Sequence, residues 1–389
     1  MKIQFTTLHN GSRTCAMIGP VLGRKPVLAL LMRLHLAAAL VLAVFGAHAS
    51  AVLTSLYSFT GTNAGGYPSA GLVQGSDGNF YGTTERGGTY GYGTVFPGGY
   101  GTVFRISTNG ALTSLYSFPG GNDGAFPVGT LVHGSDGNFY GTTEARGTNG
   151  YGTVFEISTN GALTSLYSFT GSNDGAFPWA GLVEGSDGNF YGTTEYGGTQ
   201  PGIYGKGTVF KISTNGALTS LYSFTGGNDG GNPYAGLVQG SDGNFYGTTV
   251  GGGTNDYGTV FQISTNGALT SLYSFTGGDD GRWPYAGLAQ GNDGSFYGTT
   301  EYGGQGGAGT VFRLTIVPEF QAVTLTNGSL SLTWSTEAGG KYQLQYNSDL
   351  STSNWTNLGS PVTATGAMLN TTDFLTNGPQ RFYRLVVLP

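Results

Sequence analysis

Residues 186–194 read SDGNFYGTT, and after a loop the chain continues GTVFKIS (207–213), TNGA (214–217) and LTSLYSF (218–224). The same phrases return in both directions. The glycine-rich SDGNFYGTT phrase starts at Ser76, Ser135, Ser186, Ser241 and, as NDGSFYGTT, at Asn292; GTVF starts at Gly101, Gly152, Gly207, Gly258 and Gly309; LTSLYSF starts at Leu53, Leu112, Leu163, Leu218 and Leu269. Tandem identity with a period of about 51 residues specifies a repeat architecture before any motif is weighed. Within one copy, Ser76-Asp77-Gly78 and Thr108-Asn109-Gly110 interrupt alternating segments, and their glycines supply the positive φ that short hairpin connections need. Residues 71–75 and 79–84 form one expected hairpin, residues 101–107 and 112–118 the other.

Strand alternation places Phe104 and Ile106 on one face and Val103 on the other, with Leu112, Tyr116 and Phe118 opposing Leu115. A sheet that is apolar on both faces must be sandwiched, and four strands in a period near 50 fit a propeller blade better than a solenoid turn. One LTSLYSF segment (53–59) precedes the first complete set and none follows the last GTVF, so the N-terminal strand is expected to complete the fifth blade and remove the open edge. The expected fold is all-β: a five-bladed β-propeller over 52–316, closed by its N-terminal strand, and a small C-terminal β-sandwich over 320–389. Up-and-down blades put the short turns on one face of the disc and the long connections, such as 60–69 and 85–100, on the other.

The 73 glycines and only 9% charged residues would suit a disordered chain, but aromatic residues recurring at fixed repeat positions give each copy apolar surface to bury. The first 50 residues hold five of the 15 cations and no acid, leaving 10 against 21 afterwards, near −11. Such a balance argues against nucleic-acid backbones and anionic membranes as partners. Residues 34–45 are an apolar run between Arg33 and Ala47-His48-Ala49, the order of a secretory signal peptide over 32–49 with cleavage after Ala49, or alternatively after Ala51. Met32 is the expected start, with 1–31 a start-site artefact. The apolar run is shorter than the roughly 20 residues of a spanning helix, so no membrane span is expected after cleavage. Cys15 lies upstream of the leader, which leaves the exported chain without disulfides.

The repeated DGNFYGTT and GTVFxIS phrases resemble the GloVer tandem-repeat family, also called choice-of-anchor tandem repeat proteins. The resemblance spans about 265 residues and implies an exported or surface protein with no established activity. The C-terminal RFYRLVVLP departs from the sorting signals that the family name implies. After Val317 a different pattern, including 330–334, 342–346 and 381–387, resembles a fibronectin type III or immunoglobulin-like module, with Trp334 and Trp355 as expected core residues.

The long loops carry the candidate ligand-binding residues. Asp123, Asp174, Asp229 and Asp280 sit in (N/D)-D-G turns, replaced by Ala64 in the first copy; Glu85, Glu144, Glu195 and Glu301 open the other loop, replaced by Val250 in the fourth. Paired, these carboxylates would offer Ca²⁺ hard oxygen ligands, although turn capping explains the aspartates with fewer assumptions. No other cofactor and no metal site is expected, since His133 is the only histidine after the leader and reads as an exposed polar position. Zinc sites and Ser-His or Cys-His nucleophile systems thereby lose their essential parts. Tyr67, Trp179, Tyr234, Trp283 and Tyr285 flank prolines and glycines in the same loops, where rings can stack on the apolar faces of sugars. The expected protein is a secreted, extracellular or cell-surface monomer, with the periplasm as an alternative, that binds a surface glycan or another extracellular ligand without catalysis. The alternative is an extracellular glycan-processing hydrolase using loop carboxylates, disfavoured because near-identical repeats would give those carboxylates near-identical environments.

Overall fold

The computed structural model describes residues 53–90, 99–199, 205–316, 318, 320–336, 340–349, 351–352, 354–366, 368–374 and 381–388. The leader with Ala49 and the duplicated YGTVFPG stretch at 92–98 lie outside them.

Each repeat folds as an antiparallel meander. The first sheet is β1 (Val73–Gln74), β2 (Phe80–Thr84), β3 (Thr102–Ile106) and β4 (Leu112–Ser117), hydrogen-bonded in that order. The second is β5 (Val132–His133), β6 (Phe139–Thr143), β7 (Thr153–Ile157) and β8 (Leu163–Ser168), and the third is β9 (Val183–Glu184), β10 (Phe190–Thr194), β11 (Thr208–Ile212) and β12 (Leu218–Ser223). The fourth is β13 (Val238–Gln239), β14 (Phe245–Thr249), β15 (Thr259–Ile263) and β16 (Leu269–Ser274). The fifth sheet has three strands: β17 (Ala289–Gln290), β18 (Phe296–Thr300) and β19 (Thr310–Leu314).

The turn phrases do structural work that their residue types allow. Asp187 accepts hydrogen bonds from the Asn189 backbone N–H (3.1 Å) and from the Tyr191 hydroxyl (2.8 Å), so the aspartate of the SDG turn anchors the tyrosine of the next strand. The same Tyr–Asp bond recurs in the other copies. Inside each of the first four sheets a pair of buried threonine hydroxyls, Thr194 and Thr208 in the third, meet at 2.8 Å, and the Thr208 N–H donates to Thr194. These turn and threonine groups are thus satisfied within the repeat.

The expected alternation along LTSLYSF is corrected by a bulge. Val103 pairs with Tyr116 but Phe104 pairs with Ser114, so Leu115 is an extra residue opposite the partner strand. That insertion reverses the parity, which puts Leu112 on the face of Phe104 and Ile106 while Tyr116 and Phe118 share the face of Val103. The second, third and fourth sheets carry the shift at the same place. Each sheet therefore has one face for the preceding neighbour and one for the following. Tyr81, Val103 and Phe118 of the first sheet bury against Leu131, Phe139, Phe155 and Ile157 of the second, and the pattern repeats to the fifth.

Closure of the array through residues 53–59 is not found among the described residues. That segment forms no strand, and β19 has no partner on its outer edge. Phe59 instead meets Phe104 of the first sheet at 5.2 Å, as Phe169 meets Phe210 and Phe224 meets Phe261 at the same separation. Residues 56–59 occupy the place a preceding repeat's fourth strand would take.

The C-terminal region is a two-sheet sandwich. β20 (Phe320–Thr326), β21 (Ser329–Ser335) and β25 (Met368–Phe374) form one sheet. β22 (Lys341–Asn347), which pairs with β23 (Thr356–Asn357), β24 (Val362–Thr363) and β26 (Phe382–Leu388), forms the other. Leu330, Leu332 and Trp334 of β21 bury against Tyr342, Leu344, Tyr383 and Leu385. Trp355, expected in this core, is half-buried instead and lies beneath the Arg384 guanidinium at 4.4 Å. Asp373, almost fully buried, accepts hydrogen bonds from Arg381 (2.5 Å) and the Tyr383 hydroxyl (2.7 Å), which compensates the cost of burying its charge.

Candidate functional site

In a meander the two short turns of each sheet share one end and both long connections share the other. The two long loops are zipped together there by backbone bridges, Gly66 to Arg86, Ala125 to Ala145, Ala176 to Tyr196, Gly231 to Gly251 and Arg282 to Tyr302. In each repeat the residue before the loop proline also accepts a bond from the residue after FYGTT: Glu85 N–H donates to Tyr67, Glu144 to Phe126, Glu195 to Phe177, Val250 to Asn232 and Glu301 to Trp283, at 3.0–3.1 Å. All five pre-proline residues have φ between 57° and 61°, a left-handed conformation these side chains rarely adopt. The bridge and the bond to the following strand hold it in place.

Two separate rows of aromatics result, although all five residues flank prolines or glycines in the same loops. Tyr67 and Trp283 belong to the pre-proline row, each under an arginine: Arg86 stands 5.9 Å from the Tyr67 ring, and Arg282 stands 4.9 Å from Trp283 and 5.8 Å from Tyr302. Trp179, Tyr234 and Tyr285 follow the proline and form a ladder across three repeats, Trp179 stacked on Tyr234 at 5.2 Å and Tyr234 edge-on to Tyr285 at 5.4 Å. Tyr67 and Tyr285 keep the most open rings, 70% and 43% exposed. Arg86 and Arg282 occupy different repeat positions, yet the bridges place those positions opposite one another, so sequence alignment alone could not group them.

The glutamates gather beside the ladder. Burial, together with the negative charges of Glu85 and Glu195, pushes Glu144 up to about 7. Burial also raises Glu195, moderated by the Tyr196 hydroxyl. Tyr234 is raised by burial first and then by Glu195 and Glu144, while Tyr285 is raised by burial and then by Glu301. Glu85 is paired with Arg86 at 3.0 Å. Equivalent repeat positions thus have unequal surroundings, contrary to the expectation of near-identical environments.

The aspartates are occupied within their own turns. Asp174 accepts from the Thr170 N–H (2.8 Å), the Thr170 hydroxyl (2.5 Å) and the Tyr167 hydroxyl (2.9 Å). Asp280 accepts from the Thr276 N–H (2.7 Å), its hydroxyl (2.5 Å) and the Tyr273 hydroxyl (3.0 Å). Asp229 has the same partners in Thr225 and Tyr222, and Asp123 accepts from Tyr116. Among the described residues no group of three or more histidine, cysteine, aspartate or glutamate side chains could hold a metal ion. His133, expected to be exposed, is half-buried, stacked on Phe139 at 4.8 Å with its Nε2 atom out of contact with solvent.

The fold and its loop face define an all-β tandem-repeat protein. The family model of the Gloeobacter/Verrucomicrobia repeat matches residues 43–226 and 199–343, and the chain belongs to that family. No curated protein matches the chain in sequence. Among solved structures it is similar to a protein assigned as a 6-phosphogluconolactonase of Bacteroides uniformis, at 16% identity over 79% of this chain and 88% of that one, TM-score 0.40. A glucose dehydrogenase follows at 12% identity, over 63% and 82% of the two chains, TM-score 0.38. The tricorn protease matches at 12% identity, over 75% and 27%, TM-score 0.34. These scores carry no argument about chemistry.

Proposed function

We propose that the protein is an exported, non-enzymatic repeat protein whose sheets act as the blades of a propeller and whose long-loop face binds carbohydrate at an extracellular surface. The observation that carries this reading is the ladder of Trp179, Tyr234 and Tyr285 with Glu144 and Glu195 beside it. Aromatic rings offer apolar faces and edges to the C–H surfaces of a sugar, while carboxylates accept bonds from its hydroxyls. Because the rings touch from one repeat to the next, the site extends along the array and favours an extended glycan held by several weak contacts. The C-terminal sandwich, in the same proposal, is a fibronectin III or immunoglobulin-like spacer. Screening the exported chain on a glycan array tests the reading. Trp179→Ala is expected to weaken a bound glycan roughly tenfold; unchanged binding would move the site elsewhere.

One observation favours a second reading, glycan hydrolysis. Burial and the neighbouring acids push Glu144 up to about 7, and a carboxyl that keeps its proton beside a second acid is the arrangement that glycosidases use. Release of reducing sugar by the parent and its loss in Glu144→Gln, with binding retained, would establish it over pure recognition.

A further inference from the structure

The two ends of the repeat array are complementary halves of the interface that joins its interior sheets. At each internal junction a tyrosine of FYGTT stacks on the phenylalanine of the next FYGTT: Tyr81 on Phe139, Tyr140 on Phe190, Tyr191 on Phe245 and Tyr246 on Phe296, at 3.9–4.0 Å and 26–28° between ring planes. A threonine hydroxyl crosses the same junction, Thr142 to the Ala180 carbonyl at 2.8 Å and Thr193 to that of Ala235 at 2.9 Å. On the last sheet the corresponding groups are open to solvent. Tyr297 is 36% exposed against 0% for Tyr81, Val311 is 81% exposed against 0% for Val209, and Thr299 is exposed.

The first sheet presents the other half. Leu72 is 55% exposed, whereas its equivalent Leu131 is 3% exposed, and Phe80 is half-buried where Phe139 is fully covered. Residues 56–59 already lie where a preceding repeat's fourth strand would lie. A Cβ at Gly110 would fall 2.7 Å from the Leu56 carbonyl oxygen, as one at Gly161 would from that of Leu115. The segment, in strand-like sequence but without a strand partner, fits the open edge of β19. In the register of β11 with β12, where Val209 faces Tyr222, Val311 would face Tyr57.

We propose that the protein assembles head to tail with copies of itself, the open face and edge of β17–β19 in one copy receiving the first sheet and residues 56–59 of the next. A second copy is chosen over the chain's own N-terminal end for a geometric reason. Four junctions of equal geometry apply four equal rotations, and after them the last face is still uncovered; joining the chain's own ends would alter every step, whereas another copy continues the same one. A heterologous contact of this kind extends until rotation closes it, and pairing β19 removes an exposed strand edge.

The test uses chain exported from cells expressing the full sequence, with Cys15→Ser as background. Differently tagged Tyr57→Cys and Val311→Cys proteins are mixed and mildly oxidised; a disulfide-linked dimer containing one of each is expected, and its absence overturns the proposal. The double variant is expected to give a ladder of linked chains, whereas linkage confined within single chains would show intramolecular closure and also overturn it. Sedimentation supplies a measurement that needs no disulfide. The parent's mass should rise with concentration, and Val311→Asp should lose that rise while keeping the parent's circular dichroism and melting; a parent that stays monomeric at all concentrations rules the assembly out.

Discussion

The third and fifth sheets carry almost the same words and hold them in different surroundings. Val209 and Tyr191 are fully buried, while Val311 and Tyr297, their counterparts, are 81% and 36% exposed. The difference lies in the neighbours: among the described residues the third sheet has one on each side and a fourth strand, and the fifth has neither a following sheet nor that strand. A repeat cannot bury its following face by itself, so the energetic value of each residue in the phrase is set by the next copy along.

Substitutions at matched positions can break that comparison. The largest effect is expected at the inner junction: Phe190→Ala, at a position 1% exposed, should cost on the order of 3–5 kcal/mol, and denaturant unfolding that shows less than about 1 kcal/mol would place the ring outside the packed junction. Val209→Ala removes two buried carbon groups and should cost about 1.5 kcal/mol, while Val311→Ala, measured at concentrations where the chain is monomeric, should change stability by less than about 0.5 kcal/mol. Equal losses at the two valines under those conditions would mean that the chain itself covers its last face. The smallest effect concerns the loop face. The Glu144 carboxyl keeps its proton to about 7 when folded but releases it near 4.5 when unfolded, so stability falls as pH rises from about 4.5 to 7. Glu144→Gln should therefore be more stable than the parent at about pH 8, by on the order of 1 kcal/mol because the group is partly open to solvent, and should match it below about pH 4. A gain that persists in acid would assign the effect to packing instead of charge.

Much of the fold was legible from periodicity. The strands FYGTT and GTVFxI, the Asp-Gly and Asn-Gly turns, and the segregation of long loops to one end follow from residues whose local preferences and apolar spacing agree. The parity error at Leu115 shows where such reading fails: a bulge leaves no mark in the alternation of a strand that is apolar on both faces, and one extra residue exchanges those faces. Trp355 was misplaced for a related reason, since a tryptophan reads as core until a long cation such as Arg384 is found covering it.

At the loop face, the candidate residues were identifiable by type and their grouping was not. Sequence alone determined the repeat, the sheet-forming phrases and the presence of acids and aromatic rings in the long loops, because these depend on contacts within about 50 residues of chain. Tertiary structure decided that Trp179, Tyr234 and Tyr285 touch across repeats, that Glu144 feels Glu85 and Glu195, and that residues 56–59 lie on the first sheet without pairing to β19. Each depends on the rotation from one sheet to the next, an angle set by packing between copies, and a repeated sequence does not encode where that rotation ends.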